Sequence, residues 1–241
     1  MGRRRHAGRR VRAIGAPTAS GGRRPLRVHV VFSFADAAFE IPEVFVEVSR
    51  RTWIQVASPG TWWSGPERVA IAEAARAARI RKWTSADELP KAAVDVATMI
   101  GATPGYTTAT WVGDMIDVLG ELRYVEAASI ASRVVSIDTF TRLVGSGLEA
   151  FPQPGSGKPS QRHSDPAPRR SRAWIEMVGF ASPPNAFSAV PEEAAAMNDI
   201  TDNFYMPEFD MQYPDYSRMG LHRTQIETVA GVTSHANECF F

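Results

Sequence analysis

Between Ser64 and Val144 the sequence is a series of alanine- and valine-rich stretches bounded by helix starts and stops, with no alternation of the kind a strand needs. That pattern narrows the accessible folds more than any other feature of the chain. Ser64 is placed to cap, Pro66 and Glu67 suit a first turn, and alanine-rich sequence follows to about Trp83. Ala92–Ile100 and Thr107–Leu119 read as two further helices, the second with Trp111, Met115, Val118 and Leu119 on one face. Arg123–Val144 is the longest helix expected. Val125, Ala128, Ala131, Val134, Val135, Ile137 and Leu143 form its apolar stripe, and Gly145 stops it. Farther on, Pro191–Tyr205 opens with Pro-Glu-Glu, and a loop over Met206–Met219 leads to a last helix over Leu221–His235. Residues 28–57 carry β-branched and aromatic side chains without firm alternation, so helix and strand both stay open there. The fold class expected is all-α.

Charge is distributed unevenly. The chain of 241 residues has a net charge of +1, yet residues 1–27 hold nine arginines and no acid, which leaves the remainder near −8. The arm is Arg, Gly, Ala and Pro without a helical or strand period, a composition that cannot bury enough apolar surface to order itself. A solvated extension is the first reading; nonspecific nucleic-acid contact and targeting are the others. Base stacking would want aromatic side chains among those arginines, and the arm has none. The apolar stretch Val28–Phe34 is too short to span a bilayer, and Asp36 and Glu40 close it too early for a signal peptide. The protein is therefore expected to be cytoplasmic, with no membrane partner and no nucleic-acid partner beyond the arm.

A second break, from about Phe151 to Arg172, is dense in Pro, Gly and Ser and reads as an exposed linker. Gly155-Ser-Gly-Lys158 looks like a phosphate loop, but Pro152 stands where the first glycine belongs and Pro159 replaces Ser or Thr. Gly145–Ala150 fits a loose dinucleotide pattern, yet it follows a helix and not a strand. Neither carries a nucleotide site. His222 and His235 lie 13 positions apart with no carboxylate in ligand spacing, so no metal is expected, and no cofactor either. A lone cysteine, Cys239, excludes a disulfide framework within the chain.

Three segments resemble one family. "RYVEAASIASRVVSIDTFTRLVG" (Arg123–Gly145) is similar to the closing helix of alkylhydroperoxidase D-like, or carboxymuconolactone decarboxylase, proteins, and Ser64–Ala78 adds a weaker match. "GLHRTQIETVAGVTSHANECFF" resembles that family's catalytic helix, with an Arg-x-x-x-Glu lead-in followed by Asn-x-Cys. Peroxidase members carry Glu-x11-Cys-x-x-Cys-x3-His, and here Glu227 precedes Cys239 by 12 positions. The family often holds two such units in tandem. An offset of 155 sets Arg68 on Arg223 and Ile71 on Ile226, with Ala72 against Glu227 and Thr84 against Cys239.

The resemblance implies a helical bundle with a basic arm over 1–42, a first lobe over 43–150 without redox residues, the linker 151–172, and the start of a second lobe over 173–241. It implies a peroxidase-type oxidoreductase that reduces hydroperoxides through a Cys-x-x-Cys or Cys-x-x-Sec pair, of which Cys239 is present. The sequence stops at Phe241, one position before the second chalcogen, and a UGA codon meant as selenocysteine is the expectation for that place. Cys239 would attack the peroxide, Glu227 would relay protons, a dithiol would regenerate the pair, and Asn237 would cap the helix that follows. Homo-oligomers are common in the family. The competing function is a non-catalytic helical module kept for oligomer contacts. Plainer roles stand beside these: Glu227 paired with Arg223 one turn earlier, His235 on the surface, Asp114 and Asp117 on a solvated face, and Trp62, Trp63, Trp111 and Trp174 in the core or between lobes.

Overall fold

The structure is a computed structural model that describes residues 32–82 and 88–236. Residues 1–31 of the basic arm, Thr84, Asn237 and Cys239 lie outside the described residues, as does Trp83; of the rest of the arm expected over 1–42, Phe32 and Phe34 are buried in the core. The regular structure of the described chain is α-helical apart from short 3-10 turns and two short hairpins, with a long irregular stretch between the fifth and sixth helices. Its helices are α1 (Glu43–Ala57), α2 (Gly65–Arg79), α3 (Lys91–Ala102), α4 (Ala109–Leu119), α5 (Glu121–Leu143), α6 (Pro191–Phe204) and α7 (Arg223–Ala236). The region left open between helix and strand, residues 28–57, supplies α1: Val46, Val48, Trp53 and Val56 bury a helical stripe where no strand alternation existed.

Local chemistry explains the helix ends. Glu67 Oε2 accepts from the Ser64 backbone N–H at 2.8 Å, the arm of a capping box that starts α2. Thr108 caps α4 by accepting from the Trp111 N–H at 3.2 Å. Between α4 and α5 the chain turns on Gly120 alone, whose φ of 79° lies in the left-handed region that only glycine enters freely. Gly145, just past the end of α5, has the same positive φ of 79°.

α5 is the axis of the bundle. Residues all around it are buried, from Tyr124 to Thr141, and they include Glu126, Arg133 and Asp138 as well as the apolar stripe. α2 and α3 pack closely on each other and on α5, while α4 covers α3 and α5. α6 returns after the Pro/Gly/Ser segment to pack on α1 and α5, and Ala189, Val190 and Ile200 join the same apolar core. Rings tie these elements together. Phe140 of α5 lies 5.6 Å from Phe34, 5.5 Å from Phe45 of α1 and 4.8 Å from Phe204 of α6.

Some sequence expectations shift. Val118 and Leu143 are exposed, because the bundle covers α4 through Val112 and Leu119 and the end of α5 through Thr141 and Val144, which leaves Leu143 on the outward face. Trp63 is fully buried, but Trp174 is half-exposed on the turn between β1 (Arg169–Arg170) and β2 (Glu176–Met177). The linker is exposed over most of its length and is still tied down. Phe151 stacks on Trp53 at 5.2 Å, and Gly155, Ser160 and Gln161 donate backbone N–H bonds to Ala57, Gly60 and Thr61.

No helix among the described residues is long and apolar enough to cross a membrane.

Candidate functional site

The approach to Cys239 is built from a hairpin and a helix. β3 (Ser217–Arg218) pairs antiparallel with β4 (Leu221–His222) across Met219 and Gly220, both at positive φ, and the chain then enters α7 directly. Arg223, the first residue of α7, reaches back into the preceding loop. Its guanidinium donates to the backbone carbonyls of Met211 and of Tyr213, the second at 2.9 Å, and its own N–H donates to the Tyr216 carbonyl at 2.7 Å. One arginine therefore fixes where α7 starts and which way it runs.

Glu227 sits one turn later and is held from two sides. Its Oε1 accepts from Arg223 Nε at 3.3 Å, and its Oε2 accepts from the Tyr205 hydroxyl at 2.7 Å. Tyr205 follows the last turn of α6, so this bond joins α7 to the end of the bundle. Burial and the hydrogen bond to Glu227 push the Tyr205 phenol up to about 12. The plain pairing with Arg223 is thus present, and a tyrosine that sequence reasoning did not single out completes it. His235 and His222 are exposed, the latter beside Thr224, and Asp114 and Asp117 face solvent.

Cys239 lies outside the described residues. α7 runs unbroken to Ala236, about 13 Å along the axis from Glu227 at the rise of an α-helix.

The 155-residue offset pairs positions with different surroundings. Arg223 is partly buried against the preceding loop, whereas Arg68 is fully buried among acids, and Ala72 is a packed core residue of α2. The cluster around Arg68 is the densest group of charges in the described chain. Arg68 of α2 pairs with Glu126 of α5 and, at 2.8 Å, with Glu193 of α6; Glu193 also pairs with Arg133, two turns beyond Glu126 on α5. Glu126 accepts the Trp62 backbone N–H at 2.6 Å, and Arg68 donates to the Gln55 carbonyl at 3.2 Å. All four charged side chains are at most 3 % exposed.

Burial pushes the Glu126 carboxyl up. Burial also acts on Glu193, but the guanidiniums of Arg133 and Arg68 outweigh it and hold that carboxyl low. The cluster balances its own charge, and none of its four side chains lines the cavities bounded by Ala74 and Ala102, by Ser33 and Arg50, or by Ser171 and Ala181, so its geometry is that of a structural network. Its sequence signal was Glu126 and Arg133 seven apart in α5; that spacing puts both on one face. Among the described residues no group of three or more His, Cys, Asp or Glu could hold a metal ion.

Comparison of the chain with protein-family models, with curated proteins and with solved structures finds no match.

Proposed function

We propose that this chain carries the peroxide-reactive end of an alkylhydroperoxidase D-like peroxidase, with Cys239 as the attacking thiolate and Glu227 as its proton relay. The observation that carries the reading is the Tyr205–Glu227–Arg223 array, which holds a carboxylate on the helix that leads to the cysteine. The helical architecture is compatible with that family. Arg223 and Tyr205 orient the carboxylate; Glu227 takes the proton released by the Cys239 thiol and passes it to the departing oxygen.

In the reaction, the Cys239 sulfur attacks one peroxide oxygen and the O–O bond breaks. The other oxygen leaves with its substituent and takes a proton, giving an alcohol, while the sulfur becomes a sulfenic acid. A dithiol then returns the two electrons: one thiol attacks the sulfenic sulfur and releases water, and the second displaces Cys239 as a thiolate and leaves a disulfide. Where a second chalcogen follows at the family's position, it performs that first resolving step within the chain. The working compartment in this reading is the cytoplasm, and the assembly is a homo-oligomer.

Dimedone trapping tests the first step. Treated with hydrogen peroxide, the folded protein is expected to form the Cys239 adduct about tenfold faster than the same chain in denaturant, since an activated thiol owes its rate to the folded surroundings. Equal rates in the two states would defeat the proposal.

A second reading, a helical module for oligomer contacts, draws on α7 itself. That helix has no buried residue, and Val229 and Val232 are 66% and 65% exposed. Val229→Asp is expected to dissociate such an oligomer in light scattering; unchanged mass removes this reading.

A further inference from the structure

Helices α1 to α5 place two guanidinium groups, Arg68 and Arg133, and one carboxylate, Glu126, in the sealed centre of the bundle. Those five helices alone would enclose an unbalanced positive charge, and an unpaired buried charge is among the most expensive features a core can contain. The balancing carboxylate, Glu193, comes from α6, which follows α5 by more than forty residues of non-helical chain. Its two oxygens are divided between the arginines, Oε1 on Arg68 and Oε2 on Arg133.

The neighbouring contacts close over the same point. Glu192 accepts from Thr61 Oγ1 at 3.2 Å and pairs with Arg162, while segment 155–161 is bonded along the Ala57–Thr61 turn. Within that turn, a Cβ on Gly60 would overlap both Glu126 Oε1 and Arg68 Nη1, so the backbone there lies directly on the charges. Arg51 of α1 grips Asp199 of α6 with two bonds of 2.9 and 2.8 Å on the outer side.

We propose that Glu193 is an electrostatic latch. Docking of α6 and burial of the Arg68 and Arg133 charges form one cooperative step, and the Ala57–Trp63 turn closes in that step with segment 155–161 strapped across it. The helix beyond the Pro/Gly/Ser segment is thereby the closing element of the bundle that precedes it. This inference is independent of Cys239.

Hydrogen exchange read by mass spectrometry on the full chain tests the latch. Glu193→Gln is expected to speed exchange in α6 and in the 57–63 turn about a hundredfold, the effect of breaking a buried pair on one side. Glu192→Gln, beside it but at the surface, should change exchange less than threefold. The double variant Glu193→Leu with Arg133→Met leaves Arg68 and Glu126 as a balanced pair and should restore protection in both regions. If Glu193→Gln unfolds the whole chain, rescue by the double variant still supports the latch and failure to rescue overturns it. Exchange in Glu193→Gln matching that of Glu192→Gln overturns it as well.

Discussion

Arg76 of α2 holds Asp138 of α5 in a two-pronged grip, Nε to Oδ2 at 2.7 Å and Nη2 to Oδ1 at 2.8 Å. The remaining guanidinium nitrogen donates to the Glu149 carbonyl at 2.9 Å, and the group lies 3.9 Å from the centre of the Phe151 ring. One side chain thus joins two helices and pins the start of the segment that leaves the bundle. The planar fork of arginine suits this role in a way lysine cannot match.

Removal of that partner leaves a largely buried cation. Asp138→Ala is expected to cost about 3 kcal/mol in urea unfolding followed by tryptophan fluorescence. The exposed i,i+4 pair Lys91–Asp95 provides the comparison, and Asp95→Ala should cost no more than about 0.5 kcal/mol. Equal costs would mean that burial contributes nothing to the Arg76–Asp138 pair.

Two glycines separate space from backbone freedom. A Cβ at Gly60 would collide with Glu126 and Arg68, whereas one at Gly113, inside α4, meets nothing within 4 Å. Gly60→Ala should therefore destabilise by about 2 kcal/mol or more by displacing a buried ion pair. Gly113→Ala should stabilise by up to about 1 kcal/mol through helix propensity. Thermal melts of the two variants read the opposite signs directly.

Alkaline pH should loosen the structure through two tyrosines. Burial, with Glu121 adding to it, pushes Tyr124 up to about 12; burial and Glu227 do the same to Tyr205. A phenol whose pKa is raised on folding favours the folded state fully below the unfolded value near 10, and that stability disappears as pH climbs through the folded value near 12. Ultraviolet titration of phenolate formation should show two late groups, one of which is lost in Tyr205→Phe.

Much of the fold could be read from local signals. Ser64 with Glu67, Thr108 and Gly145 announce helix ends through groups close in sequence, and the structure has its helix boundaries within a few residues of them. Long-range features left no such trace. Nothing in the composition of 151–172 indicates that α6 packs back on the bundle, because the groups that meet there are far apart in sequence: Glu193 with Arg68 and Arg133, Asp199 with Arg51 and Phe204 with Phe45. Apolar stripe counting likewise treats Glu126 and Asp138 as surface positions, and only the complete encirclement of α5 reverses this. At the candidate site, Arg223 with Glu227 was legible as an i,i+4 pair. Tyr205 was not, since 22 residues and a hairpin separate it from its partner.

The most direct test of the account is the second-order rate of hydroperoxide reaction at Cys239, measured against pH in the folded protein and in its Glu227→Gln and Tyr205→Phe variants. A proton relay predicts that Glu227→Gln slows the reaction tenfold or more near neutral pH, with a smaller loss for Tyr205→Phe, which only orients the carboxylate. Superimposable profiles for all three proteins would contradict it and leave the array of Arg223, Glu227 and Tyr205 as a brace for α7.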